Sequence, residues 1–253
     1  MKLNQWLAQQ PFTLAMSSGF FGFFAHAGVL DTLLKHSLKP AAVSGSSAGA
    51  LIAGVYASGT PMEVMLERLF ALRKADFWDP GIGLGLLKGR KFRAILTDLV
   101  HQPDLAQCTV PCSISIWDAL SRQTRVLQNG SLVDIIYASC AVPLLFQPRW
   151  LDGRPSWDGG IADRPGLAGI NGSERVFYHH IAARSPWRKR TSRALQIPQR
   201  ADLMALAING LPRSGPNRLH LGPTIFAAAK VATEQALRTE VHSAGDCVQI
   251  VAS

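Results

Sequence analysis

The feature that most constrains the fold of this chain is the segment Gly45-Ser46-Ser47-Ala48-Gly49, which follows the pattern G-x-S-x-G. A short β-prone run around Val43 precedes it, and the apolar residues 50–57 that follow are typical of a buried helix. A serine at a sharp strand-to-helix turn needs small neighbours, which Gly45 and Gly49 provide. The N-terminus of the helix would favour developing negative charge beside the hydroxyl. The segment therefore predicts either a nucleophilic serine or a small-residue turn before a buried helix.

Strand-like and helical segments alternate along the chain. The strand-like runs lie around Val43 and over residues 12–16, 112–117, 124–127, 176–181 and 247–251. The alternation predicts a three-layer α/β/α fold whose central sheet is mostly parallel. The 253 residues, of which 47% are hydrophobic, are enough for one such domain over residues 1–253. We expect residues 166–253 to complete it with a basic loop and C-terminal helices.

Two stretches without charged residues, 11–30 and 41–59, are long enough to span a membrane. Polar residues precede the first, and serines and glycines interrupt both, which favours the buried centre of an α/β core. We therefore expect neither a cleaved signal peptide nor a transmembrane helix, and a cytoplasmic protein. The four cysteines lack the spacing of a zinc site, which is consistent with a reducing compartment and predicts no bound metal.

The net charge of +9 includes a local cluster of basic residues that suits an anionic partner. The members of this cluster are Arg184, Arg188, Lys189, Arg190 and Arg193. No nucleic-acid-binding motif accompanies them, so we expect no nucleic acid partner. The alternatives are peripheral contact with an anionic membrane surface and an ordinary solvated loop.

A helix is predicted to begin near Pro61, with Thr60 and Glu63 forming a capping box. Its apolar side chains form a stripe at helical spacing, which indicates core packing or, alternatively, a lid over an acyl pocket. The members of the stripe are Met62, Met65, Leu66, Leu69 and Phe70.

A nucleophilic serine needs a base. No histidine lies in an informative pattern, so we interpret the histidines as structural. Asp158 stands in the segment Trp157-Asp158-Gly159-Gly160, where two glycines permit another backbone to approach closely. The alternative is a plain β-turn, which fits Asp152-Gly153 equally well.

Taken in order, three elements resemble the patatin-like phospholipase family: a glycine-bearing loop after the first strand, the G-x-S-x-G segment and Asp158-Gly159-Gly160. Residues 25–30 and 139–148 extend the resemblance, which is strongest over residues 12–165. The resemblance implies a patatin-like fold and a serine esterase active in lipid degradation, with phospholipids or lysophospholipids as substrates and no cofactor.

The resemblance also implies a Ser–Asp dyad without histidine. Ser47 corresponds to the nucleophile and Asp158 to the group that accepts its proton. Backbone N–H groups at Ser18, Gly19 and Phe20 would bind the oxyanion, in a loop that ends at Gly22. The remaining motif residues are the four glycines Gly45, Gly49, Gly159 and Gly160.

The chain departs from the family pattern in this loop. Ser17 and Ser18 replace glycine at the start, and Phe21 replaces a basic residue before the last glycine. Asp163-Arg164-Pro165 is one residue shorter than the usual family segment. Four aromatic residues lie in this loop and directly after it, and they belong either to a pocket wall or to the core of the fold: Phe20, Phe21, Phe23 and Phe24. We expect at least two of them in the core.

Two other functions share this scaffold. An acyltransferase or thioesterase would use the same serine with a different acceptor, and a lipid-surface binding protein would retain the fold without catalysis.

Overall fold

The computed structural model describes residues 1–182, 192, 195–242 and 245–252. The helices within these residues are α1 (Leu3–Gln9), α2 (Phe23–Lys35), α3 (Ala48–Ala57), α4 (Met62–Ala71), α5 (Arg90–Leu99), α6 (Leu132–Cys140) and α7 (Gly222–Leu237). The strands are β1 (Thr13–Met16), β2 (Ala42–Ser46), β3 (Gly85–Leu87), β4 (Cys112–Asp118), β5 (Gln123–Leu127), β6 (Leu144–Phe146), β7 (Arg149–Leu151), β8 (Arg154–Asp158), β9 (Val176–His180), β10 (Leu203–Asn209) and β11 (Cys247–Val251). The basic cluster that includes Arg188 lies outside the described residues.

A mostly parallel sheet forms the centre of the molecule. Its strand order is β11-β10-β9-β1-β2-β4-β8-β7, with β5 paired to β4. The six strands from β11 to β4 are parallel to their neighbours, whereas β5, β7 and β8 add antiparallel pairs at one side. Helices flank the sheet, so the predicted α/β/α fold is confirmed.

The two uncharged stretches of the sequence form the middle of this core. The first contains β1 and α2 and the second contains β2 and α3, and almost all of their residues are buried. A strand that is covered on both faces reads as a continuous apolar run, which explains the absence of charge. Among the described residues, no helix has both the length and the apolar character needed to cross a membrane.

The structure corrects two expectations about secondary structure. We expected only a basic loop and helices before the last strand, but residues Leu203–Asn209 form strand β10. The leucine, methionine and alanine residues of β10 favour helices in isolation. Tertiary context overrides that preference, because β10 lies between β9 and β11 and is almost completely buried. The capping box at Thr60 was also wrong. The Thr60 hydroxyl donates to the Leu99 carbonyl oxygen (2.7 Å), and α4 begins after Pro61 without a side-chain cap.

The closest approach of β1 to α3 depends on Gly49. A Cβ added at Gly49 would overlap the carbonyl of Met16, whereas Gly172 has open space around it. We expect Gly49→Ala to lower the free energy of unfolding by about 1–3 kcal/mol, because backbone cannot move aside as a side chain can. Gly172→Ala is the matched control and should change it little. Urea denaturation of the two variants measures the difference, and equal stabilities would contradict the prediction.

Candidate active site

Ser47 lies between the end of β2 and the beginning of α3, with a backbone φ of +53°. Non-glycine residues rarely adopt positive φ, and such conformations cost about 1–3 kcal/mol. The turn is therefore strained in the way that the G-x-S-x-G segment predicts.

The Ser47 hydroxyl donates a hydrogen bond of 2.7 Å to the Asp158 carboxylate, from Oγ to Oδ2. Asp158 ends β8, which pairs with β4 near the middle of the site. Its other carboxylate oxygen, Oδ1, accepts from the Gly160 N–H at 2.8 Å, and its backbone N–H donates to the Ala141 carbonyl oxygen. Both Ser47 and Asp158 are buried. This arrangement keeps one carboxylate oxygen directed at the serine hydroxyl.

The motif glycines allow neighbouring backbone segments to pack closely around Ser47 and Asp158. A Cβ at Gly159 would overlap the Ser115 carbonyl of β4, so any other residue would push Asp158 away from the sheet. The other motif glycines are similarly enclosed, since an added Cβ would come within about 3 Å of a neighbouring atom at each of them. These positions are Gly22, Gly45, Gly49 and Gly160.

The loop before α2 supplies backbone donors beside Ser47. Gly19 and Phe20 line the same pocket as Ser47, and within the described part of the chain their N–H groups donate to no protein acceptor. Ser18 differs from them, because its N–H donates to the Arg164 carbonyl oxygen at 2.7 Å. The expectation that Ser18 contributes an oxyanion donor is corrected on this ground. The roles of Gly19 and Phe20 stay predictions.

Ser17 replaces glycine in this loop without backbone strain. Neither Ser17 nor Ser18 has a positive φ, whereas Phe21 does (+53°). The Ser17 hydroxyl accepts from the Ile181 N–H at 2.8 Å, a bond that glycine could not make. Its N–H donates to the His179 carbonyl oxygen. The serine therefore ties the loop to the end of β9.

Two buried histidines support the loop from behind. His26 Nε2 donates to the Ser17 carbonyl oxygen at 2.8 Å, so its Nδ1 accepts from His179 Nδ1 at 2.8 Å. Burial lowers the pKa of His26 from 6.5 to about 4 and holds the pKa of His179 well below its usual value. Both rings are neutral at pH 7, and Ser47 Oγ is hydrogen-bonded to a carboxylate rather than to either of them.

An apolar pocket of about 630 Å³, a volume that includes its open mouth, has Ser47 in its wall. Helix α4 contributes Leu69, and α5 contributes Phe92 and Leu99. The apolar stripe of α4 therefore packs into the core and also contributes to the wall of the pocket. Of the aromatic residues after the loop, Phe23 and Phe24 are buried in the core, as expected.

A family model for patatin-like phospholipase matches residues 14–168, more than half of the chain. The chain belongs to the patatin-like phospholipase family. Membership in this family supports a lipid hydrolase.

Uncharacterized NTE family proteins of Mycobacterium bovis and Mycobacterium tuberculosis are 33% identical to the chain over 162 residues. The match covers 63% of this chain but 45% of each relative, so it spans less than half of their length. The crystal structure of VipD from Legionella pneumophila has the same fold, with a TM-score of 0.63 and 14% sequence identity. That alignment covers 91% of this chain and 67% of VipD.

Two residues at the end of α6 hold the nucleophile turn of this patatin-like chain, and neither was singled out from the sequence. The Ser139 hydroxyl accepts from the Ser47 N–H at 2.9 Å and donates to the Ser115 carbonyl oxygen at 2.7 Å. The Cys140 thiol lies 3.1 Å from the Ser47 carbonyl oxygen, and burial raises the pKa of this thiol well above the usual value. The resemblance of residues 139–148 to the family pattern is the signal that could have identified them. Among the described residues, no cluster of His, Cys, Asp and Glu could hold a metal ion.

The neutral histidines make stability depend on pH. The unfolded chain binds a proton at His26 near pH 6.5, whereas the folded protein does so near pH 4. The free energy of unfolding should therefore fall as the pH drops from 6.5 to 4, with His26 contributing about 1.4 kcal/mol per pH unit. His26→Gln keeps a donor for the Ser17 carbonyl oxygen. It should reduce this slope by about 1.4 kcal/mol per pH unit, which is the contribution of one bound proton. Urea denaturation at several pH values measures it, and equal slopes would refute the prediction.

Proposed function

We propose that this protein is a serine acyl-ester hydrolase that releases fatty acids from phospholipids or lysophospholipids. The observation that carries the proposal is the 2.7 Å hydrogen bond from Ser47 to Asp158 in the wall of an apolar pocket. A serine bonded to a carboxylate has a base within reach, and an apolar pocket suits an acyl chain.

In the proposed reaction, Ser47 Oγ attacks the ester carbonyl carbon while Asp158 Oδ2 accepts the hydroxyl proton. The negative charge moves to the carbonyl oxygen, where the N–H groups of Gly19 and Phe20 stabilise it. Asp158 then returns the proton to the departing alcohol oxygen as the C–O bond breaks, which leaves an acyl group on Ser47. Asp158 next accepts a proton from water, whose oxygen attacks the acyl carbon. The bond from that carbon to Ser47 Oγ then breaks, Asp158 returns the proton to Oγ, and the fatty acid is released.

The two Asp158 carboxylate oxygens have different hydrogen-bond partners, which supports different tasks for them in the proposed reaction. Oδ2 faces the serine, whereas Oδ1 accepts the Gly160 N–H, so the carboxylate cannot turn freely between the two proton-transfer steps. Fixing a base in its reactive orientation lowers the entropic part of the barrier. The short turn at Gly159 and Gly160 thus belongs to the proposed machinery as well as to the fold.

We expect Ser47→Ala to lower kcat/KM for a soluble p-nitrophenyl ester by about 1000-fold or more, because no nucleophile remains. Asp158→Asn should lose a comparable amount, since an amide cannot accept the proton. A fluorophosphonate should label the parent protein at Ser47, and Ser47→Ala should remove the label. Mass spectrometry and initial rates are the two measurements.

The chain offers a control for each substitution. Ser46→Ala removes the neighbouring hydroxyl, which has no hydrogen-bond partner within the described residues, and should leave activity intact. Asp152→Asn changes the other Asp-Gly turn, where the carboxylate is exposed and pairs with Arg125. Normal ester turnover by folded Ser47→Ala would overturn the proposal. Transfer of the acyl group to added glycerol in preference to water would favour the acyltransferase instead.

A further inference from the structure

A hairpin beside the pocket exposes apolar side chains that the fold does not use. Residues 79–88 form this hairpin, in which the Gly81 N–H donates to the Leu86 carbonyl oxygen and the Lys88 N–H donates to that of Asp79, both at 3.0 Å. Ile82 near its tip is fully exposed, and Leu84 and Leu86 are more than half exposed. Isolated exposed apolar residues are ordinary, but a group of them on one structural unit indicates an interaction surface.

The hairpin has a defined structure and packs against the rest of the molecule. Its strand β3 pairs in parallel with β6, where Leu87 lies beside Phe146 and both side chains are buried. The Gln147 side chain donates to the Ile82 carbonyl oxygen at 2.9 Å and holds the tip. The contacts that hold the hairpin in place therefore also keep Ile82 and Leu84 exposed to solvent.

The exposed apolar surface continues into the acyl pocket. Leu144, which is largely exposed, lies two residues before Phe146 in β6, and Phe146 lines the pocket. On the other side, Phe20 lines the pocket and is half exposed. Its ring contacts Phe21, which in turn contacts Phe77, two residues before the hairpin begins.

Positive charge borders the hairpin at both ends. Five exposed basic side chains lie at its last residue or beside it in sequence, and among the described residues none of them forms an ion pair with a carboxylate. They are Arg73, Lys74, Lys88, Arg90 and Lys91. The two acids nearby accept hydrogen bonds from the backbone, Asp76 from the Arg73 N–H and Asp79 from the first N–H groups of α5.

We infer that the 79–88 hairpin, together with Leu144, docks into the surface of an anionic phospholipid bilayer and places the pocket mouth against the lipid. This inference rests on the proposed function, since it supplies the route by which an acyl chain reaches Ser47. An apolar tip bordered by lysine and arginine matches the acyl and headgroup layers of an anionic membrane, because basic residues near the surface are attracted to anionic headgroups. A symmetric contact between two copies would instead bring the same positive charges together.

The test uses the Ser47→Ala protein, which keeps the hairpin and does not consume the lipid. It should sediment with vesicles of phosphatidylglycerol and much less with vesicles of phosphatidylcholine. Adding Ile82→Asp and Leu84→Asp should weaken the binding about ten-fold or more, because two apolar contacts are lost and two negative charges meet an anionic surface. Val231→Asp is the matched control, because Val231 on α7 is 59% exposed and Leu84 is 62% exposed.

Equal binding by the double variant and its parent would overturn the inference. Equal loss with Val231→Asp would overturn it too, because added negative charge anywhere would then explain the result. A dimer in sedimentation analysis that the double variant dissociates would identify the hairpin as a contact between copies, against the inference.

The proposed function is tested separately in proteins with Ser47 intact. There, Ile82→Asp/Leu84→Asp should hydrolyse a soluble short-chain ester at the parental rate and vesicle phospholipid about ten-fold more slowly. A parent protein that hydrolyses neither substrate would contradict the proposed function. The vesicle binding of the Ser47→Ala protein would still decide the docking inference by itself.

Discussion

The strained turn at Ser47 is the constraint on which the rest of the site depends. Its φ of +53° is maintained because the Ser47 N–H has an acceptor in Ser139, while its carbonyl oxygen accepts from the Leu51 N–H and lies beside the Cys140 thiol. These bonds come from α3 and α6, so the packing of two helices holds one residue in an unfavourable conformation. The side chain is thereby directed towards Asp158.

A second layer of support lies behind the loop that faces Ser47. The neutral His26–His179 pair and Ser17 connect α2, β9 and the loop through hydrogen bonds that are all buried. In a low-dielectric interior each of these bonds is costly to break, so the loop keeps its shape. The histidines therefore affect the site indirectly, by holding the backbone of the loop in place.

The prediction from the sequence was strongest where local pattern and burial agree. Residues 11–30 and 41–59 became β1–α2 and β2–α3 because continuous apolar runs with small residues suit strands covered on both faces. It was weakest for β10, where helix-favouring residues form a central strand. It was also wrong for Thr60, whose hydroxyl donates to a carbonyl at the end of α5 and does not cap α4.

The sequence by itself determined the strand–serine–helix corner, the mostly parallel α/β fold and the family, because these follow from local periodicity and from ordered short motifs. The tertiary structure alone decided which groups meet. Ser47 and Asp158 are 111 residues apart in sequence, and the pairing of β8 with β4 brings them to 2.7 Å. It also decided that the Ser18 N–H is occupied by Arg164 and that the 79–88 hairpin presents leucine and isoleucine to solvent. Both outcomes depend on contacts between distant segments, which no local pattern records.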